Sequence, residues 1–169
     1  MSQVLVELLH GKGAHVDPLA CVEDVSAELA AQHAAGFPHS IGQLVFHMNY
    51  WMSYELRRIR GERPQYPQHA AESFPADPAP LDAQQWDRYR RDLAWFIAEL
   101  IALAQSPRDQ LDRQIESTPA ASQQRSSKLN SLESILWQMV AHNSYHTGQI
   151  AAIRRALNAW PPNSGGDTW

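Results

Sequence analysis

Three stretches of the chain repeat apolar side chains at the spacing of a helix face, and each opens on residues able to cap a helix. From Ser40 to about Arg60 the apolar positions are Ile41, Leu44, Phe46, Met48, Trp51, Leu56 and Ile59, a distribution of helical period. Ser40 with Gln43 three places on reads as a capping box, and Gly61 followed by Pro64 ends the segment. From Asp82 to about Gln105 the stripe is Trp86, Tyr89, Leu93, Phe96, Ile97, Leu100 and Leu103, with Asp82 and Gln85 at its start and Ser106-Pro107 as its stop. From about Asn130 to Asn158 it is Leu132, Ile135, Leu136, Met139, Asn143, His146, Ile150, Ile153 and Leu157. Asn130 and Glu133 occupy the capping positions, and Pro161-Pro162 closes the segment.

The rest of the chain is less regular. Residues 3–10 suit a short helix through Val4, Leu5, Leu8 and Leu9, after which Gly11, Gly13 and Pro18 interrupt. Pro18 to Leu29 has room for one or two helical turns, and the chain is then irregular up to Pro38. A connector from Glu62 to Leu81 carries Pro64, Pro67, Pro75, Pro78 and Pro80 and is long enough to cross a bundle. Between Arg108 and Ser127 there is an extended piece, Leu111 to Glu116, and a polar run, Ser122 to Ser127, that reads as a surface loop. Three long amphipathic helices with a shorter fourth and no strand set predict an all-α protein, a four-helix bundle with long crossover connections, forming one domain over residues 1–169.

Composition narrows the function classes. A formal net charge of -4 gives no reason to expect nucleic acid as a partner. No apolar run reaches the length of a membrane span, so no membrane partner is expected. One cysteine, Cys21, rules out an internal disulfide framework, and with no signal-like N-terminus the expected compartment is the cytoplasm.

The chemistry concentrates in the third long helix. In HNSYHTGQI, residues 142–150, His142 and His146 stand four apart, so their rings lie one above the other on one face. That face is the apolar stripe, since Met139 and Ile150 lie a turn to either side. Burying polar rings without partners costs roughly 1 to 3 kcal/mol per group, so each ring needs a partner. Neighbouring side chains or carbonyls would serve; one shared metal ion would serve both at once. A third inward histidine strengthens the second reading. In HSIGQLVFHMNYW, residues 39–51, His47 lies a turn from both Leu44 and Trp51. Three neutral imidazoles from two helices form a common ligand set for a divalent transition ion and leave coordination positions open. The residue after His142 is Asn143, where a zinc protease of the H-E-x-x-H type carries its glutamate base, so that reading fails. The glutamates of a di-iron bundle are also missing, and one ion is the better count.

These segments, HSIGQLVFHMNYW followed by RRIRGERP, then HNSYHTGQIAAIRRAL running into WPP and a GGDTW end, resemble the DinB-like family of small metal-binding four-helix bundles. The resemblance runs roughly from Gly13 to the C-terminus. It implies a three-histidine metal site on His47, His142 and His146, a bundle with unusual helix order, and a homodimer. The ion it implies is one divalent transition metal: zinc, nickel, manganese or iron. Some members transfer low-molecular-weight thiols such as bacillithiol, mycothiol or glutathione onto electrophiles, so the resemblance implies a thiol S-transferase acting on a small-molecule substrate. The alternatives are a metal-dependent hydrolase of a small molecule and a non-catalytic metal-binding stress-response protein.

Tyr54 and Arg58 follow His47 on nearly one helical face, and Gln149 follows His142. With Trp51 and Tyr50 near the rim, these residues are the candidate lining of a substrate pocket, Arg58 holding an anionic group. A solvated charge near a helix end is the plainer reading of Arg58, and plain core that of Trp51 and Tyr54. His10, His33, His39 and His69 read as surface residues, and His15 as a loop residue near the mouth of the bundle but outside the ligand set. Cys21 reads as a small buried side chain. Trp169, ending a segment rich in Pro and Gly, is expected to dock on the bundle or on a dimer partner.

Overall fold

Ser40 starts a helix against which three other helices pack. Its Oγ accepts the Gln43 backbone N–H at 3.3 Å while Gln43 Oε1 accepts the Ser40 N–H at 2.9 Å, a reciprocal cap that contributes about 1 kcal/mol. The computed structural model describes residues 2–75, 81–116 and 130–165. Its elements are helix α1 (Ser2–Leu9), a 3-10 turn at Ala20–Val22, α2 (Ala27–Ala31), α3 (Ile41–Ile59), a 3-10 turn at Ala70–Ser73, α4 (Ala83–Ala104), α5 (Arg108–Leu111), β1 (Gln114–Ile115), β2 (Asn130–Ser131) and α6 (Leu132–Ala156). The protein is mostly helical, as its periodicity predicts. The polar run Ser122–Ser127 and the docking of Trp169 lie outside the described residues.

Two helix ends follow from local chemistry. Past α3, Gly61 takes φ 86°, and the Gly61 and Glu62 N–H groups bond back to the Arg58 and Arg57 carbonyls, both at 2.9 Å. Glycine carries no Cβ to oppose that left-handed turn. Past α6, Asn158 does the same at φ 56°, with Asn158 and Ala159 N–H returning to Arg155 and Arg154. That reversal, not the later Pro161-Pro162, is what stops α6. Its start also differs from expectation. Asn130 does not cap: it pairs with Ile115 in a short antiparallel ladder, beside Ser131 with Gln114. Ser131 is the cap instead, its side chain accepting the Ser134 N–H at 3.1 Å. The extended piece at 111–116 is half right, since Leu111 ends α5 and only Gln114–Ile115 is strand.

Both α1 and α3 pack against α4 and α6, and α2 and the Ala70–Ser73 turn lie on α3. Between them the buried apolar side chains form one core, with Leu5 and Leu9 from α1, Ile41, Leu44, Met48 and Met52 from α3, Leu93, Ile97 and Leu100 from α4, and Ile135, Leu136 and Ile150 from α6. Burial of each such side chain stabilises by roughly 1.5 to 3 kcal/mol. Gly42 lies where α2 crosses α3; a Cβ there would stand 3.2 Å from the Ala30 carbonyl oxygen and 2.7 Å from Leu81. Arg154, 2% exposed, ties the C-terminal end of α6 to the N-terminal part of the chain: it donates to the Cys21 and Ala159 carbonyls at 2.7 and 2.8 Å and pairs with Asp24 at 2.8 Å. Among the described residues no helix is long and apolar enough to cross a membrane.

Candidate metal centre

The register of α3 and α6 turns three imidazoles toward one point. His47 comes from the middle of α3 and is buried; His142 and His146 come from successive turns of α6, the first half-buried and the second buried. One ring nitrogen from each lies within 4.8 Å of the others, and His142 Nε2 stands 3.2 Å from His47 Nε2. Nitrogens that share a tetrahedral ion at about 2.1 Å stand about 3.4 Å apart, a spacing the His47–His142 pair already has, with the His146 nitrogen within 4.8 Å of both.

The hydrogen bonds assign the tautomers. His47 Nδ1 faces Ser73, lying 2.9 Å from its hydroxyl and 3.3 Å from its carbonyl oxygen. That hydroxyl donates to the Ala70 carbonyl at 2.6 Å, so it accepts from the ring. His47 therefore carries its proton on Nδ1 and turns an Nε2 lone pair to the centre. His146 Nδ1 donates to Gln149 Oε1 at 2.7 Å, leaving its own Nε2 as a lone pair. His142 is the telling case. Its Nδ1 is buried and without a hydrogen-bond partner, as is Asn143 Oδ1, although the Asn143 side chain favours the protonated ring. With the proton on Nδ1, two Nε2 lone pairs face each other at 3.2 Å; with it on Nε2, Nδ1 is a buried acceptor with no donor. A cation between the Nε2 atoms, with the His142 proton on Nδ1, replaces the facing lone pairs by two ligand bonds, which is the fit expected of a ligand set.

Electrostatics agrees. Burial, reinforced by the His146 and His142 imidazoles, pushes His47 down to about 4, and burial with the His146 ring pushes His142 down to about 4. His146 is also lowered, chiefly by burial. All three rings are neutral near pH 7, the state a metal ligand requires.

Aromatic rings wall the centre. Phe74 stacks on His47 with centroids 4.2 Å apart, and His39 stacks on the other face of Phe74 at 4.0 Å. His39 is thus half-buried in this stack and is not the surface residue expected. His15 stays outside the cluster, bonding Ser144 Oγ at 2.7 Å. His10, His33 and His69 are exposed.

The other candidates fall in three places. Trp51 stands edge-on to His47 at 6.3 Å. Tyr50 and Tyr54 line an open pocket of about 120 Å³ that the three histidines do not line. Arg58 is neither solvated nor turned to a pocket: it is buried, with Nη1 2.6 Å from Glu55 and Nε and Nη2 donating to the Glu116 carbonyl at 3.3 and 3.1 Å. Gln149 reaches His146, and its Nε2 donates to Tyr145 Oη at 3.2 Å, so it orients a ring. Sequence reasoning missed Ser73 and Phe74, 26 and 27 residues from His47 inside a Pro-rich connector, where no local pattern marks them.

A family model described as the DinB superfamily matches residues 16–150. No curated protein matches the chain.

Proposed function

This chain belongs to the DinB superfamily, and from that premise we propose that His47, His142 and His146 hold one divalent transition ion at a catalytic centre. The observation that carries this reading is the trio of neutral imidazoles converging within 4.8 Å, with His142 Nε2 3.2 Å from His47 Nε2. We read α1, α3, α4 and α6 as the four helices of a bundle, with the centre between α3 and α6. Among the described residues the group contains three ligands and no carboxylate or thiolate. Three protein ligands leave a position open, which favours chemistry over a closed structural site.

When bound, the ion supplies Lewis acidity that lowers the pKa of a thiol or water at that open position. The residues of this chain hold it there. Ser73 and Gln149 fix two imidazoles in the ligating tautomer, and Phe74 covers one face of His47 against water. We propose that the reaction is transfer of a low-molecular-weight thiol onto a small electrophile.

Two measurements test this. Elemental analysis of protein purified without added metal should find about one ion per chain, lost in His47→Ala, His142→Ala and His146→Ala. Metal-loaded protein should accelerate conjugation of a thiol with chlorodinitrobenzene. Full metal content in His47→Ala would overturn the centre; no acceleration with bacillithiol, mycothiol or glutathione would overturn the transferase, and thiol-independent ester cleavage would replace it with a hydrolase.

A further inference from the structure

The open pocket on the C-terminal half of α3 is a separate feature. Tyr50, Ser53, Tyr54 and Arg57 form its helical side, and Pro64 and Gln65 of the connector close it. Trp51 and Tyr66 stand behind: Trp51 meets Tyr50, Tyr54 and Tyr66 at 5.5 Å each, and Tyr66 meets Tyr54 at 5.8 Å. Trp51 is also the ring that touches His47. One aromatic side chain therefore divides the pocket from the imidazoles, and Tyr54 lies two helical turns beyond His47, about 10 Å along the axis.

We propose that this pocket binds the planar, anionic end of the substrate, chemically an aromatic carboxylate, whose other end reaches the centre past Trp51. Treating the ligand as a substrate rests on the function proposed above. Three observations carry the assignment. The cavity of about 120 Å³ lies below the usual range of ligand sites, which limits the occupant to a single small ring. Tyr50 and Tyr54 offer ring surfaces that favour a planar aromatic group over a saturated one.

The charge comes from Arg57. Its Nε is held by Glu62 at 2.6 Å, while both terminal nitrogens have no partner among the described residues. The neighbouring carboxylates are already engaged: Glu62 with Arg57, and Glu72 with the Gln68 and His69 N–H groups. A cationic ligand would meet the Arg57 guanidinium as a like charge; a carboxylate meets the edge of it that Glu62 does not engage.

Benzoate is the probe, followed by amide chemical shifts of the isotope-labelled full chain, zinc-free and zinc-loaded. Shifts centred on residues 50–57 and 64–66 are expected in both forms, with a dissociation constant on the order of 1 mM. Arg57→Gln should weaken binding about fivefold, and Glu62→Gln, which releases the guanidinium, should tighten it. Tyr50→Leu should reduce the preference for benzoate over cyclohexanecarboxylate. Equal binding of the saturated acid by the unaltered chain, tighter binding of benzyltrimethylammonium, or shifts confined to His142 and His146 and seen only with zinc would each overturn the proposal. Zinc binding without these shifts removes the pocket and keeps the metal centre. The shifts without zinc binding keep the pocket and remove the centre.

Discussion

Replacing Ser73 by alanine tests whether the connector sets the geometry of the metal centre. The serine is fully buried, and its hydroxyl both accepts from His47 Nδ1 at 2.9 Å and donates to the Ala70 carbonyl at 2.6 Å. Ser73→Ala removes both bonds. The second loss costs the metal-free protein about 1 kcal/mol of stability. The first frees the His47 ring to turn, and supports of this kind are worth about 10- to 100-fold in metal affinity. The Ser73 carbonyl, 3.3 Å from the same nitrogen, stays in place as a weaker acceptor. The loss should therefore fall at the lower end, about tenfold, or 1.4 kcal/mol. Gln149→Ala should cost more, because among the described residues Gln149 Oε1 is the one acceptor for His146 Nδ1. Zinc competition against a chromophoric chelator reads both constants, with circular dichroism confirming the fold. Unchanged affinity in Ser73→Ala, or a smaller loss in Gln149→Ala than in Ser73→Ala, would refute the assignment of these side chains as the supports of the ring tautomers.

Acid should destabilise the metal-free protein through the same rings. His47 and His142 are held down to about 4, below the 6.5 of an unfolded imidazole; between those values the unfolded chain binds protons that the folded chain refuses, so stability falls as pH drops through that window. Urea titrations at pH 7.5, 5.5 and 4.5 should show the fall, with a shallower slope in His142→Gln; an equal slope would count against buried neutral rings. Cys21 is fully buried and its thiol is pushed up to about 12, chiefly by burial, so iodoacetamide at pH 8 should leave the native chain unmodified and alkylate one site after denaturation. Rapid labelling of the native protein would contradict the placement of Cys21.

Local physics made the helices readable in advance. Ser40 with Gln43, Asp82 before α4, and Gly61 after α3 act within a few residues of themselves, and the structure uses each as its chemistry suggests. The i,i+4 pair of α6 and the lone His47 were legible for the same reason, since helical spacing fixes which face a residue occupies. What stayed hidden depends on contacts between distant segments. Ser131 displaces Asn130 as the cap because residues 114–115 pair with it. Arg58 is buried because Glu55 of its own helix and the Glu116 carbonyl, just past β1, both meet it. Arg154 looks like a surface residue near a helix end, yet three partners from both ends of the chain enclose it. Ser73 is the clearest instance, since nothing near it in sequence announces a histidine.

The stack of His39, Phe74 and His47 has a thermodynamic corollary. The connector leans on a single imidazole through both Phe74 and the Ser73 hydroxyl, so seating that segment and capturing the proposed ion would draw on one shared free energy. By reciprocity, whatever loosens residues 70–74 weakens the grip on the ion by the same factor that ion capture tightens them. Under the proposed function a connector rich in proline would in this respect be a tuning element for the cation.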